Sequence, residues 1–384
     1  MQEKNLKILY LVHDLSDSTV HKRVAMLKDG GADVTIMGFY RNNTPPTSIH
    51  GAPAIALSKT YDGKFIHRIL TTLRMVATIS KHKAYFVRSD VVIARTLEML
   101  AIAVRGRSLI SPSPTLVYEC LDIHRLLLKQ NIIGTALRRL EGWLAKRASL
   151  LITSSPAFIR EYFDKYSLVR CPSYLIENKI YQPVLQTQPV LTRAAATPWR
   201  IGWFGAIRCH KSLSILTSLA QQMNGKIEVI IRGKPSYDQF ENFDKQILSI
   251  QGLRFDGPYK NPDDLEKIYS DVHFTWAIDM FEEGLNSSWL LPNRIYEGGY
   301  YGSVSLVQGH VETGKHLKLL GTGVQLTSPL QAQLIEFFNS LTKDKYKILQ
   351  TLAQTVPVNN WILTKDDAVH LVHKLTNLRK ENYE

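Results

Sequence analysis

The sequence predicts an α/β protein of two doubly wound, parallel-sheet domains that face each other across a cleft. Three observations carry that prediction. At 384 residues the chain exceeds the size at which one hydrophobic core keeps growing, so two cores are expected. Short apolar runs of strand length alternate with segments of helical period through residues 7–177, and the alternation restarts near residue 199. Between them the pattern lapses, and Pro183, Pro189 and Pro198 among scattered Gln, Thr and Ala read as a linker. The expected division is a Rossmann-like domain at 1–177, a linker at 178–198, a second Rossmann-like domain at 199–357, and a closing segment at 358–384 whose helix returns toward the first domain.

Composition narrows the class. Apolar and charged contents are ordinary for a soluble globular protein, and Gly and Pro are too few for a disordered chain. Cys120, Cys171 and Cys209 lie far apart without C-x-x-C spacing, which argues against a zinc site or a disulfide framework and fits a reducing cytoplasm. No apolar run of signal-peptide length opens the chain and none is long enough to cross a bilayer, so neither secretion nor membrane spanning is expected. The net charge of +13 is uneven: the first 177 residues hold 25 Lys and Arg against 14 Asp and Glu, the remainder 22 against 20. The basic half is expected to face an anionic partner, whether a phospholipid surface, a lipid diphosphate or nucleic acid.

Taken in order, residues 7–12 form a buried parallel strand that stops at His13-Asp14. A helix follows from about Ser18 through Val24, Met26 and Leu27 to Gly30-Gly31, and residues 34–39 form the second strand. No G-x-G-x-x-G fills the turn, so this half is not expected to bind the nucleotide. Residues 42–64, with Pro45-Pro46, Pro53 and Asp62-Gly63, read as loop. Residues 65–76 set apolar positions three or four apart, with Arg68 and Arg74 among them and Lys81, His82 and Lys83 just beyond. That pattern suits a membrane-surface helix, though a crossover helix with a solvated basic face is the commoner source of it. Strands at 91–94 and 115–118 flank a helix at 97–104; a long basic helix at 126–146, a strand at 150–153, a helix at 156–166 and a strand at 174–176 complete the half. The second half repeats the scheme, with strands at 200–204, 227–231, 253–255, 272–277, 304–306 and 324–326.

Candidate chemistry gathers at strand ends. Residues 292–300 read as a short helix that Tyr301-Gly302 turns into the buried strand Val304-Ser305-Leu306. A helix beginning at Pro292 points unpaired backbone N–H groups outward, and Asn293 and Arg294 in its first turn add polarity and a positive charge suited to an anion. One turn on, Glu297 has the acceptors for a vicinal diol such as a ribose. Arg and Glu three apart are also what a solvated surface pair looks like. Gly205, which permits close backbone approach, is followed by Arg208 and Lys211, which can reach diphosphate oxygens. Arg232 and Tyr259 join the same donor-binding set. In the first half Asp122 leaves a strand end, where ligands gather in open parallel sheets, and could act as general base on an acceptor hydroxyl. His124 could do the same chemistry, and a helix cap before Arg125-Leu126-Leu127 would equally account for Asp122. Asp14 and His21 are candidates for holding the acceptor.

These residues resemble those of GT-B glycosyltransferases of the large family 4 type, with features of the bacterial glucuronosyltransferases of xanthan-like exopolysaccharide assembly. Gly205 with Lys211 matches that family's phosphate-binding pair, and Phe255-Asp256-Gly257-Pro258-Tyr259 and Asp264-Leu265 through Tyr269-Ser270-Asp271-Val272 are similar to the segment before its acidic motif. Glu297 matches the ribose-binding Glu and Arg294 the basic residue ahead of it, while Asp122 matches the strand-end acid that serves the xanthan-type enzymes as general base. Asn178 and Trp361 sit like the family's linker Asn and the Trp that opens its return helix. One departure matters: the first glutamate of the family's E-x7-E pair falls at Trp289, with Glu282 and Glu283 just upstream. That departure counts against a retaining mechanism and makes an inverting displacement, with Asp122 as base, the leading expectation. No D-x-D lies near the donor residues, so neither metal nor cofactor is expected.

What the resemblance implies is a cytoplasmic enzyme peripherally associated with the inner face of the cell membrane. It would move a hexosyl or glucuronosyl group from a nucleotide-sugar, a UDP-sugar, to a lipid-linked (polyprenyl diphosphate) glycan in bacterial surface or exopolysaccharide synthesis. Two other readings stand beside it. The missing first glutamate suggests a non-catalytic relative that binds a nucleotide or glycan. Charge alone suggests a nucleic-acid binder, but the interleaved aromatics and basic motifs of one are missing and no nucleic-acid partner is expected.

Overall fold

The computed structural model describes residues 5–61, 65–185, 187–189 and 194–381. Two compact units divide them. One takes the described residues of Met1–Glu177, Tyr181–Leu185 and Leu363–Glu384, the other those of Asn178–Ile180 and Gln186–Ile362.

The first unit is built on β1 (Lys7–Val12), β2 (Asp33–Tyr40), β3 (Ser48–Ile49), β4 (Ala52–Lys59), β5 (Val91–Arg95), β6 (Thr115–Cys120), β7 (Ala148–Thr153) and β8 (Ser173–Leu175), in the order β3-β4-β2-β1-β5-β6-β7-β8. All neighbours are parallel except the β3–β4 hairpin. The apolar runs of β1, β5 and β7 are buried on both faces, as a doubly covered parallel sheet requires. Strand β1 pairs through Ile8 with Val34 on one side and Val91 on the other. The winding reverses there, and such a switch point opens a crevice at the carboxyl ends of the strands. Right-handed crossovers then place the helix Ser18–Asp29 on one face and Leu97–Arg107 on the other. The helix Lys365–Glu381 packs on Ser18–Asp29. A Cβ on Gly30 would come within 2.4 Å of the Ala368 carbonyl oxygen, so that approach needs a glycine.

Three predicted features of this unit differ. The described part of the loop at 42–64 contains the β3–β4 hairpin; His50 and Gly51 both hold positive φ, 47° and 71°, the backbone of a two-residue turn that matches strand twist. The helix predicted at 126–146 is two helices, Arg125–Leu128 and Ile132–Ala145. Lys129 is extended between them, and Asn131 restarts the second by accepting from the Gly134 N–H at 3.0 Å. The helix at 156–166 is one short turn followed by wider π-type winding at Ile159–Phe163.

After β9 (Ile180–Tyr181) the second unit carries β10 (Trp199–Ile207), β11 (Ile227–Pro235), β12 (Leu253–Phe255), β13 (Phe274–Trp276), β14 (Val304–Gln308) and β15 (Val324–Leu326) in one parallel sheet, ordered β12-β11-β10-β13-β14-β15. Strand β16 (Ile362–Leu363) pairs with β9. The period of two along β10 sends Trp203 into one core, with Trp199, Phe274 and Tyr346, and Phe204 into the other, with Tyr269, Tyr296 and Trp361. The helix Asn293–Tyr300 ends as its sequence predicts. Gly302 takes φ +65°, and the N–H groups of Gly302 and Ser303 donate to the carbonyls of Gly299 and Gly298 before β14 begins.

Candidate functional site

In the second unit the helix Asn293–Tyr300 lies close against the sheet because two of its residues lack side chains. A Cβ on Gly298 would meet Thr275 Oγ1 at 2.6 Å, and one on Gly299 would meet the Trp361 ring at 2.7 Å. That approach buries the helix face bearing Glu297, which is 4 % exposed. Its carboxylate accepts from Asn261 Nδ2 and from the Tyr269 hydroxyl, both at 2.8 Å. Burial, and next the neighbouring Glu297 charge, hold the Tyr269 phenol well above its ordinary pKa, so it stays a donor. A surface Arg–Glu pair is thereby excluded.

Arg294 is 12 % exposed, with Nη2 3.9 Å from the Asp279 carboxylate and Nη1 buried without a hydrogen-bond partner. Arg232, at the end of β11, donates from Nη2 to the Pro258 carbonyl at 3.1 Å and leaves Nε buried without a partner. A buried donor without an acceptor costs free energy, and two on guanidinium groups suit an anion. Tyr259 joins them: burial pushes its phenol pKa up, Glu297 adds to the rise, and Arg294 and Arg232 oppose it. Gly205 holds φ +108°, and a Cβ there would lie 4.0 Å from the Tyr259 hydroxyl. The neighbouring Gly233, at φ +141°, would drive a Cβ to 1.8 Å from the Gly205 carbonyl oxygen, so both strand ends need bare backbone. Gly205, Arg232, Tyr259, Arg294 and Glu297 therefore gather at the carboxyl edge of one sheet, with Asn293 half-buried in the helix's first turn.

The other two predicted donor residues engage a loop. The Arg208 guanidinium lies over the Phe281 ring, 4.7 Å from its centroid, and Lys211 forms an exposed ion pair with Glu283. The same loop presents Asp279, which accepts from Ser287 Oγ at 2.7 Å and faces Arg294. Asp279 and Asn261 escaped the sequence reading because both sit in irregular loops. The one signal available was Asn261 in the turn after Tyr259.

In the first unit Asp122 is exposed in the loop after β6. The helix cap is His124, not Asp122: its Nδ1 accepts from the Leu126 N–H at 3.3 Å. Burial, then the Arg68 and Arg125 charges, lower the His124 pKa, which favours the neutral ring that accepting requires. Asp14 and His21 are held by their own loop. Asp14 accepts from the Ser16 N–H at 3.0 Å and meets Arg41 Nε at 3.4 Å, while His21 Nε2 lies 2.9 Å from the Leu15 carbonyl oxygen. Beside these two, the switch-point edge gathers residues not selected from the sequence. His13 Nε2 lies 3.5 Å from Asp17, whose carboxyl is held well below its usual range by His13 and Arg95 although burial alone would raise it. Arg95 donates to the Tyr10 hydroxyl at 3.0 Å, Arg23 Nε donates to Glu119 at 2.8 Å, and Arg68 meets Glu98 at 2.9 Å. Thr96 joins β5 to its helix at φ +82°, an outlier for a β-branched residue and of the kind that clusters at ligand sites. Only the fold brings these positions together. Among the described residues, no three His, Cys, Asp or Glu lie close enough to hold a metal ion.

Two parallel doubly wound units of this topology are the arrangement of the GT-B fold. The chain is similar to sucrose-phosphate synthase from Thermosynechococcus elongatus, with a TM-score of 0.73 and 11 % identity over 97 % of this chain and 98 % of that one. It is also similar to Anabaena HepE in complex with UDP and glucose, with a TM-score of 0.68 and 15 % identity over 97 % and 100 %. No family model matches. The chain is 40 % identical over 378 residues to the succinoglycan biosynthesis protein ExoL of Rhizobium meliloti (strain 1021), covering 97 % of this chain and 94 % of that protein, and it belongs to the ExoL family.

Proposed function

We propose that this protein transfers a hexosyl or glucuronosyl group from a UDP-sugar to a lipid-linked glycan during bacterial exopolysaccharide synthesis, at the inner face of the cell membrane. The observation that carries this reading is Arg294, a largely buried guanidinium whose Nη1 is buried without a hydrogen-bond partner, near Tyr259 and one helical turn before the buried Glu297. The second unit holds the donor: Arg294, Arg232 and the N–H groups at the start of Asn293–Tyr300 receive the diphosphate, Gly205 lets it approach the backbone, and Glu297 accepts from the ribose hydroxyls. The names of the relatives agree, since ExoL serves succinoglycan biosynthesis and HepE is described with UDP and glucose.

The first unit holds the acceptor, and Asp122 takes the proton from its hydroxyl. As that oxygen bonds to the anomeric carbon, the bond from this carbon to the diphosphate oxygen breaks and charge develops on the leaving diphosphate. Arg294 and Arg232 stabilise that charge in the role a divalent metal fills elsewhere, so transfer proceeds without a metal and inverts configuration. His124 is not the base in this scheme, because its cap bond occupies Nδ1.

Turnover of UDP-sugars with a polyprenyl diphosphate-linked acceptor, in the presence of chelator, tests the reading. Asp122→Asn should lower kcat by roughly 10²–10⁴, the span of general-base catalysis, with UDP affinity unchanged. Full turnover by Asp122→Asn, or turnover abolished by chelator, contradicts it.

A further inference from the structure

Two helices of the first unit are turned inside out. On Phe65–Thr78 the buried residues include Thr71, Thr72 and Met75, whereas Ile66, Ile69, Leu70 and Leu73 form an exposed stripe, with Ile66 at 75 % and Leu70 at 61 %. On Ile132–Ala145 the inversion is stronger. Arg138 is buried, its Nη1 donating to the Leu127 and Lys129 carbonyls at 2.7 and 2.9 Å. Glu141 is buried too, accepting from the hydroxyls of Tyr118, Tyr162 and Ser167. Meanwhile Ile132, Ile133, Leu140 and Trp143 stand outward, Ile132 at 88 % and Trp143 at 67 % exposed.

Both helices pack on Leu97–Arg107, and so share one face of the sheet. The helix between them adds a half-buried apolar row of Leu97, Ala101 and Val104. On the two outer helices and their flanks the exposed charge has a single sign, while Glu98 on the middle helix is paired with Arg68. Residues 65–89 contain no Asp or Glu, and residues 123–147 contain only Glu141, which is buried. Arg74, Lys81, Lys83, Lys129, Arg139 and Lys146 are all exposed.

We propose that this face docks on an anionic lipid bilayer, with the two apolar stripes seated at the boundary between headgroups and acyl chains and the surrounding Lys and Arg on lipid phosphates. An apolar stripe with an exposed Trp and a rim rich in Lys and Arg fits such a surface in both terms, apolar burial and charge. A second copy of this chain would bring like charges together. The strand-end edge carrying Asp122 adjoins this face, since Arg68 both pairs with Glu98 at the start of the middle helix and acts electrostatically on His124. The surface therefore deepens the proposed function by placing a lipid-anchored acceptor beside its base, and that consequence rests on the reading above. The docking itself does not.

The full chain is sedimented with vesicles of phosphatidylglycerol and phosphatidylcholine, and separately with phosphatidylcholine alone. Wild type should pellet with the anionic vesicles at least tenfold more than with the neutral ones. Leu70→Glu/Trp143→Glu, at exposed positions, should remain in the supernatant with its Tm and its UDP affinity unchanged, and Arg74→Glu/Lys146→Glu should shift binding in the same direction. Wild type left in the supernatant, equal pelleting with both lipids, or pelleting by the Leu70→Glu/Trp143→Glu variant overturns the surface. So does a wild-type dimer that this variant dissociates. Anionic binding without any UDP binding supports the surface and sinks the donor reading instead.

Discussion

At the residue level the proposed donor site turns on two helix positions one turn apart. Their spacing was legible, because the order Pro, Asn, Arg, Ile, Tyr, Glu, Gly already places a cation and an acid on one side of a short helix. Their burial was not, since it depends on Gly298 and Gly299 meeting Thr275 and Trp361 from elsewhere in the chain. Removing the carboxylate takes away the acceptor of the Asn261 and Tyr269 donors as well as the proposed diol acceptor. Glu297→Ala is therefore expected to cost about 2–5 kcal/mol of UDP affinity, the range for one partner of a buried hydrogen-bonded charge. Arg294→Met should lose affinity for UDP more than for uridine, which has no diphosphate; equal losses for the two would place Arg294 away from the phosphates.

Among the elements, those with a clean period were legible and those decided by a local turn were not. The strand runs and the helix opening at Ser18 follow from pattern and stop signals. The hairpin hidden in the stretch read as loop depends on His50 and Gly51 both adopting positive φ, which a Pro-rich segment masks. The break before Asn131 depends on one side chain capping a new helix. The close approach of helix and sheet in the second unit predicts that Gly299→Ala, by pressing a methyl into the Trp361 ring, lowers stability by about 1–3 kcal/mol. An unchanged melting temperature would mean that the ring has room to move.

The buried bridge among β1, β5 and β6 makes a separate prediction. Burial alone would raise the Glu119 carboxyl, but Arg23, Arg95 and the Tyr10 hydroxyl hold its pKa below the usual value. A carboxyl depressed in the folded state contributes stability that is present above its unfolded pKa and is lost as pH falls through the folded value. Melting temperature should therefore fall steeply below about pH 4, the unfolded Glu range, and Arg95→Met should flatten that fall. Parallel profiles for the two proteins would remove Glu119 from the acid response.

For the whole molecule, length, alternation and the lapse near residue 178 were enough to read two parallel-sheet cores, because each depends on local pattern. The uneven charge was legible as a bias toward the first 177 residues, yet the sequence could not say where that charge lies. Burial separates the charges by role: Arg23, Arg95 and Arg138 serve the interior, while Arg74, Arg139 and Lys146 rim an apolar face. The edge of the first unit proposed to hold the acceptor was the least legible. Asp14 and His21 are taken up by their own loop, and the residues at the switch point come from strands far apart in sequence. No helix among the described residues is long and apolar enough to cross a membrane.

Calorimetric titration of UDP into the wild-type chain and into Glu297→Ala, Arg294→Met and Asp122→Asn is the most direct measurement of the donor site. Wild type and Asp122→Asn should bind UDP equally, and the two substitutions in the helix Asn293–Tyr300 should each weaken binding at least thirtyfold while the protein remains folded. Equal UDP affinity in all four proteins, or none in the wild type, would contradict a nucleotide-diphosphate site at Arg294 and Glu297.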